Sequence, residues 1–263
     1  MSGMATDDDG SRKTIRAVEK SLTILEALHR RDGGGVTALS EDVELSMGAI
    51  SHHLATLEAA GLVTIVDGEY QPTIRFLSYG AKARERSQVY QIARRGVDEL
   101  AQETGEIVRL AVEREFQSFC LYQSLGDAVT EPWTLTGMEE PLYRTGGGKA
   151  LLAEFSDDRL DSYLNQVEFV RGTSNTVTDA QRLREQIEDV RETGIAFDDE
   201  EHLEGVRCVG TSITDESGNL LGAISVSGRV ERVDDERFRE AIPRELQNIA
   251  GVVGISSTYS VWE

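Results

Sequence analysis

The chain of 263 residues is long enough for two modest domains, and its 27 Lys+Arg against 47 Asp+Glu leave a net charge of −20. It has no run of 18 apolar residues, a polar and acidic start (MSGMATDDDG), and only Cys120 and Cys208. These features exclude a membrane-spanning helix, a secretory signal, a disulfide framework and a zinc finger, so a cytoplasmic protein is expected.

In chain order, residues 1–11 read as a disordered acidic tail. Arg12, Lys13 and Arg16 form a small basic cluster, either a solvated helix end or a phosphate clamp. A first helix is predicted from Ile15 to Arg31 with Val18, Leu22, Leu25 and Leu28 as its buried stripe. Gly33-Gly34-Gly35 breaks the chain. Thr37 is placed as the N-cap of a short helix running to Val43, and Glu44-Leu45 makes a turn.

Ser46 then caps a helix with Met47, Ile50, Leu54 and Leu57 on one face and Gly61 as its stop. The other face carries Gly48, Ala49, His52, Ala55 and Thr56, flanked by Ser51 and His53. Small side chains permit close approach to a major groove, and hydroxyl and imidazole groups read base edges. A strand over Leu62 to Val66, a two-residue turn at Asp67-Gly68, and Glu69-Tyr70-Gln71 form a wing that Pro72 closes. Helix, glycine stop and hairpin make a winged helix-turn-helix, so double-stranded DNA is the expected partner.

The net charge opposes DNA binding only if it is spread evenly, and it is not. Residues 11–86 hold ten basic and ten acidic side chains, whereas residues 87–263 hold 17 basic and 34 acidic. Lysine is scarce, at Lys13, Lys20, Lys82 and Lys149. Abundant carboxylates with few lysines fit a halophile's cytoplasm, where at ~1 M salt the Debye length is about 3 Å and distant repulsion is screened. Phosphate attraction weakens there too, which places more of the recognition on short-range base contacts.

Beyond Phe76-Leu77, a helix from about Ala81 to Thr104 starts basic (Lys82, Arg84, Arg86), carries Val89, Ile92, Val97 and Leu100 as apolar anchors, and is too polar for a core helix, so it reads as a linker. An antiparallel strand pair follows, Ile107 to Glu115 and Gln117 to Gln123, with a short strand at Trp133 to Thr136. Helices are predicted at Thr145–Glu154, Asp157–Leu164 and Asp179–Arg191. Strands recur at Ile195–Phe197, Val206–Thr214 and Leu220–Ser227, and a last helix covers Asp234–Ser256. The expected class is α+β, with one antiparallel sheet in the second domain.

Thr145-Gly146-Gly147-Gly148-Lys149 ahead of a helix lets backbone amides converge on an anion, unless the glycines serve only close packing. A P-loop is excluded, because Tyr143 and Ala150 stand where glycine and Ser/Thr are needed. Ser225 and Ser227 share one strand face, as part of a pocket wall or of an edge strand. Cys208 reads as a small buried side chain, and Asp198-Asp199-Glu200-Glu201-His202 as a solvated charge run rather than a metal site. His52 and His53 point different ways and cannot share a metal, so no metal or cofactor is expected.

Taken together, KTIRAVEKSLTILEAL, LATLEAAGLV, PLYRTGGGKALLA, GIAFDDEEHLEGVRCV and LLGAISVSGRVER resemble the IclR family of transcription regulators over about Arg12 to Ser260. The resemblance implies a winged helix-turn-helix domain at 12–75, a linker helix at 76–104 and a GAF-like effector-binding domain with an antiparallel sheet at 105–260. It implies dimers through the N-terminal domain, tetramers in some members, and a small effector, here an organic or sugar acid. It also implies effector contacts from Gly146, Gly147, Asp198, Cys208, Ser225 and Ser227, which moves Asp198 from the surface into a pocket. The family's recognition helix commonly opens Pro-Lys-Ser with an arginine near its middle. This one has Ser46-Met47-Gly48 and His52, so operator contacts do not transfer. The competing expectation is an enzyme with an accessory DNA-binding domain and Cys208 as nucleophile, with His202 as a conceivable partner.

Overall fold

The computed structural model describes residues 13–259, so the expected acidic tail and Arg12 lie outside the described residues. The chain divides into two compact units, Met1–Lys82 and Ala83–Glu263.

In the first unit, α1 (Arg16–Arg31), α2 (Val36–Asp42) and α3 (Met47–Ala59) are followed by β1 (Val63–Val66) and β2 (Glu69–Pro72). Its core is Ile24, Ala27, Leu28, Leu39, Val43, Ile50, Leu54, Leu57 and Val63. Apolar side chains at helical spacing thus meet from three helices, with the base of the wing closing the cluster. Asp67 and Gly68 both take positive φ (52° and 89°), the tight turn that a two-residue hairpin needs. The wing is tied down by paired backbone hydrogen bonds between Gly34 and Tyr70, at 3.0 and 3.1 Å.

Three details depart from expectation. The buried stripe of α1 is Ile24, Ala27 and Leu28, with Leu25 partly buried; Val18 and Leu22 are each 53% exposed, and Ile15 is 69% exposed. Ile24, Ala27 and Leu28 join the cluster with α2 and α3, whereas the apolar side chains of the first turns of α1 stay largely in solvent. Met47 is likewise exposed, because it sits in the first turn of α3, beyond the core. The cap of α2 is Gly35, not Thr37: its carbonyl accepts the Leu39 N–H at 3.0 Å, which starts the helix two residues early.

Helix α4 (Arg75–Glu85) spans the unit boundary, and α5 (Gln88–Thr104) opens the second unit. One linker helix over 81–104 was expected. The helix instead breaks at Arg86-Ser87, where the amides turn back to Ala83 and Arg84, and α5 is a core helix. Val89, Tyr90, Ala93, Val97, Leu100 and Ala101 are buried, while Arg94, Arg95, Glu99 and Glu103 stay in solvent. The high polarity of this segment belongs to one face and masked the buried one.

The sheet then forms from β3 (Ile107–Arg114), β4 (Gln117–Leu125), β5 (Glu139–Pro141), β6 (Ala196–Asp199), β7 (Val206–Thr214) and β8 (Leu220–Arg229). Its order is β5-β4-β3-β8-β7-β6, antiparallel throughout. Between β5 and β6 lie α6 (Gly146–Ala153), α7 (Asp157–Gln166) and α8 (Ala180–Thr193). A π-helical turn (Arg237–Ala241) leads into α9 (Ile242–Tyr259). No strand forms at Trp133–Thr136. Thr134 is held by the Gln123 side chain, Leu135 is exposed, and edge pairing begins only at Glu139.

Strand alternation separates the two faces of the sheet. Val108, Leu110, Val209, Ile213, Ile224 and Val226 join the cluster formed with α5 and α9. The opposite face carries Arg109, Cys208, Gly210, Ser225 and Ser227, and α6 packs there. Both faces are covered, so β8 is buried over most of its length and is an interior strand, flanked by β3 and β7. The edge-strand explanation of its serines therefore falls.

Candidate functional site

The exposed surface of α3 presents Met47, Gly48, Ser51, His52, Ala55 and Thr56, with Ala49 half-buried. Ser46 is the N-cap: its Oγ accepts the Ala49 N–H at 3.3 Å. The Thr56 hydroxyl donates to the His52 carbonyl at 2.9 Å. His53 does not stand with these residues. It is half-buried, and its Nδ1 lies 2.8 Å from Ser21 Oγ, a bridge between α3 and α1. Lys13 and Arg16 are exposed at the start of α1. At the other end of α3, the Arg75 guanidinium donates to the Ala60 carbonyl, a contact that spacing gave no means of finding. The wing tip carries Asp67 and Glu69, so it offers phosphates no cation.

In the second unit, α6 lies directly on the sheet. A methyl group at Gly146 would be 3.0 Å from the Cys208 carbonyl oxygen and 3.1 Å from its Sγ; one at Gly147 would be 3.4 Å from Ser225 Oγ. Thr145 caps the helix by accepting the Gly148 N–H at 3.0 Å. The strand register supplies the other side. Ser225 stands opposite Gly210, Ser227 opposite Cys208, and Cys208 opposite Asp198. Gly146, Gly147, Cys208, Ser225 and Ser227 are thereby brought together around the positive end of a helix.

Asp198 is one strand away and buried, not solvated. Its Oδ1 accepts the N–H groups of Glu201 and His202 at 2.7 and 3.2 Å, which fixes the following loop. Glu201 is buried as well, and its Oε1 is 2.7 Å from Lys149 Nζ. The acidic run is therefore an inner wall over much of its length. Burial pushes the Asp198 carboxyl up to about 7 against the pull of the Lys149 ammonium, with Glu201 adding to the rise.

That shift has a sign that can be tested. A carboxyl with a folded value above its ordinary ~3.9 contributes stability most fully below pH ~4, and loses it as pH rises through about 7. The groups facing it are Lys149 from α6, Glu201 from the loop and Cys208 from β7. Asp198→Asn keeps an oxygen for both N–H groups and cannot ionise. Relative to the parent it should gain stability from pH 5 to pH 8, by up to about 1.4 kcal/mol per pH unit, in denaturant melts. A difference independent of pH would refute the assignment.

Burial also pushes the Cys208 thiol up, with Asp198 adding to the rise, although Arg109, Ser227 and the Gly146 amide pull the other way. A neutral buried thiol is a poor nucleophile. His202 is not its base either, since His202 Nε2 faces Glu140 Oε1 at 3.3 Å.

Three further buried charges were missed. Arg109 on β3 stands opposite Ser225, and its Nη1 donates to Glu140 Oε2 at 2.6 Å. Burial pushes the Glu140 carboxyl up, but His202 and the Arg109 guanidinium outweigh it and hold the group at about 2. Lys149 is the third. The signal was present in the sequence: Arg109 and Lys149 are lone cations in the apolar runs IVRLA and GGGKALLA. A charge embedded in a buried element is held there by a partner.

Comparison with known proteins places these features. The family model "Bacterial transcriptional regulator IclR C-terminal" matches residues 81–253, and "Bacterial regulatory protein, arsR family" matches residues 19–64. The chain is similar to a probable HTH-type transcriptional regulator, ArcR, of Halobacterium salinarum, 28% identical over 94% of this chain and 96% of that protein. It is similar to the crystal structure of the Thermotoga maritima IclR, 26% identical with a TM-score of 0.69, covering 92% of this chain and 100% of the other. An IclR homolog of Microbacterium hydrocarbonoxydans crystallised with 4-hydroxybenzoate shares the fold, with a TM-score of 0.78 at 16% identity over 93% and 99% of the two chains.

Proposed function

This chain belongs to the IclR family of DNA-binding transcription regulators, and from that premise we propose that a small carboxylate metabolite held against α6 sets its operator affinity. The observation that carries the reading is the convergence at the start of α6. Buried glycine amides at a helix's positive end stand beside Ser225 and Ser227 on a covered sheet face. That arrangement suits an anion with two acceptor oxygens. Gly146, Gly147, Ser225 and Ser227 hold the carboxylate, Cys208 and Asp198 line the site, and a neutral Asp198 donates to the acid.

On the DNA side, α3 enters the major groove with Ser51, His52 and Thr56 toward base edges. Met47, Gly48 and Ala49 permit the approach, and the Ser46 cap and His53 hold the helix in position. Arg12, Lys13 and Arg16 contact phosphates. Dimerisation runs through the first turns of α1, where Ile15, Val18 and Leu22 form an exposed apolar strip of the kind that needs a partner. Pairs of dimers form tetramers. The effector favours one arrangement of the paired DNA-binding units over another and shifts operator affinity by that difference. The charge of −20, its bias to residues 87–263 and the likeness to a Halobacterium protein support work in a cytoplasm of molar salt.

The test is Ser225→Ala/Ser227→Ala. The expected result is that operator affinity stays within about twofold while its response to acids is abolished. Joint loss of DNA binding and response would instead make the serines a folding element. Binding is best measured on the gene's own upstream DNA at molar KCl, with and without a panel of organic and sugar acids.

A further inference from the structure

From Leu246 to Trp262 the sequence has no Lys, Arg, Asp or Glu, in a chain of which 28% is charged. The other such stretches of more than ten residues are explained by the fold: 45–57 is α3, 116–126 covers β4 and 217–228 covers β8. The second half of α9 is different, because only one side of it is covered. Leu246 and Val253 are buried in the core cluster that β7 and β8 share, and they fix the helix on the sheet. Asn248, Val252 and Ile255 share the opposite helical face and are exposed, Val252 at 65% and Ile255 at 55%. Other helices of this unit put charge on the solvent side: Arg94, Arg95 and Glu99 on α5, and Glu185, Glu188 and Asp189 on α8. Here two stiff β-branched side chains stand in solvent with no charge around them on the helix.

We propose that this face of α9 meets the same face of a second copy of the chain. The contact rests on the reading that dimers formed through α1 pair into tetramers, and it names the surface on which they pair. Residues 87–263 hold 17 basic and 34 acidic side chains, so two copies approaching through this unit bring like charge together. A two-fold contact sets each patch against itself. A surface of one sign then repels its copy, whereas an uncharged apolar face is complementary to itself, and the centres of protein interfaces are depleted of charge. A basic partner would be drawn to the carboxylates elsewhere on the unit, and a nucleic acid needs cations that this face lacks. In molar salt, with a Debye length of about 3 Å, carboxylates beyond the rim do not oppose the contact. Gly251 borders the face and adds neither charge nor bulk to it.

The experiment is size-exclusion chromatography with light scattering, and sedimentation equilibrium, on the full-length chain in molar KCl without DNA or effector. The parent should be four copies. Val252→Glu/Ile255→Glu should fall to two, with the concentration for half-assembly raised at least about a hundredfold, because apolar contact is lost and carboxylate faces carboxylate. Val252→Ser/Ile255→Ser adds no charge and should shift the same midpoint at least about tenfold, so the result does not hang on one variant's folding. Leu22→Glu on α1 should also give two copies, and combined with the α9 change it should give one. A parent of four copies whose α9 variants keep that mass overturns the face and leaves the tetramer reading standing. A parent of two copies that the α9 change splits to one upholds the face and overturns the pairing of dimers. A parent of two copies that the α9 change leaves whole overturns both. Unchanged mass with a lowered melting temperature means that the face is covered within one chain, which likewise overturns the contact.

Discussion

Arg109→Met should destabilise the second unit by about 3–5 kcal/mol, the range for breaking a buried ion pair by removing one partner. The Glu140 carboxylate stays behind, 5% exposed, with only His202 beside it. Two features separate this from simple loss of packing. Glu140 is held at about 2 in the intact protein, so its contribution is present above its ordinary value near 4.3 and is lost as pH falls toward about 2. Without Arg109 that contribution disappears, and the variant's deficit should shrink below about pH 5 as Glu140 takes a proton. The double change Arg109→Met/Glu140→Leu should recover most of the loss, since an apolar replacement of a whole pair is often neutral. Denaturant melts across pH 4–8 read both. A deficit that ignores pH and is not recovered in the double variant would show that Arg109 acts through packing alone.

Gly210→Ala should cost about 3 kcal/mol, the upper end of the range for overpacking, and should abolish the acid response at once. A methyl group there would sit 2.5 Å from the Gly146 carbonyl carbon and 2.6 Å from its oxygen and from Gly147 N. All three are backbone atoms at the root of α6, so no side chain can swing aside. Relief requires α6 to rise from the sheet, and that carries the Gly146 and Gly147 amides away from Ser225. Gly251→Ala, on the exposed face of α9, is the control. Nothing lies within 4 Å of its added methyl, and a gain of roughly 0.5–1 kcal/mol is expected from helix propensity. Thermal melts with and without the acid panel distinguish the two. A Gly210→Ala protein with unchanged melting and response would mean that α6 does not bear on β7 as described.

Much of the fold was legible locally. Ser46 as a cap, Gly61 as a stop, Asp67-Gly68 as a hairpin turn, and the strands at Val206–Thr214 and Leu220 onward all rest on neighbours a few residues apart, where periodicity and turn chemistry act. Readings that needed a distant partner fared worse. Val18 and Leu22 carry the same helical spacing as Leu28, and only the reach of α2 and α3 decides which of them is covered. The segment 88–104 looked too polar for a core because its average hides a clean division between faces. Asp198 and Glu201 looked solvated because acidic runs usually are, until Lys149 from α6 is placed against them.

Composition, turn residues and periodicity were enough, taken alone, for a winged helix-turn-helix joined to an α+β domain, and they singled out Ser225, Ser227 and the glycines before α6 as candidates with packing alternatives still open. Two of the buried charges, Arg109 and Lys149, already stood out in apolar runs, but their meaning did not. That Arg109 faces Ser225, that Glu140 reaches Arg109 across 31 positions, and that Lys149 reaches Glu201 across 52 are products of strand register and helix packing. A buried charge is tolerable only with a partner, and nothing local names a partner so far away along the chain; three-dimensional closure of the sheet makes that choice.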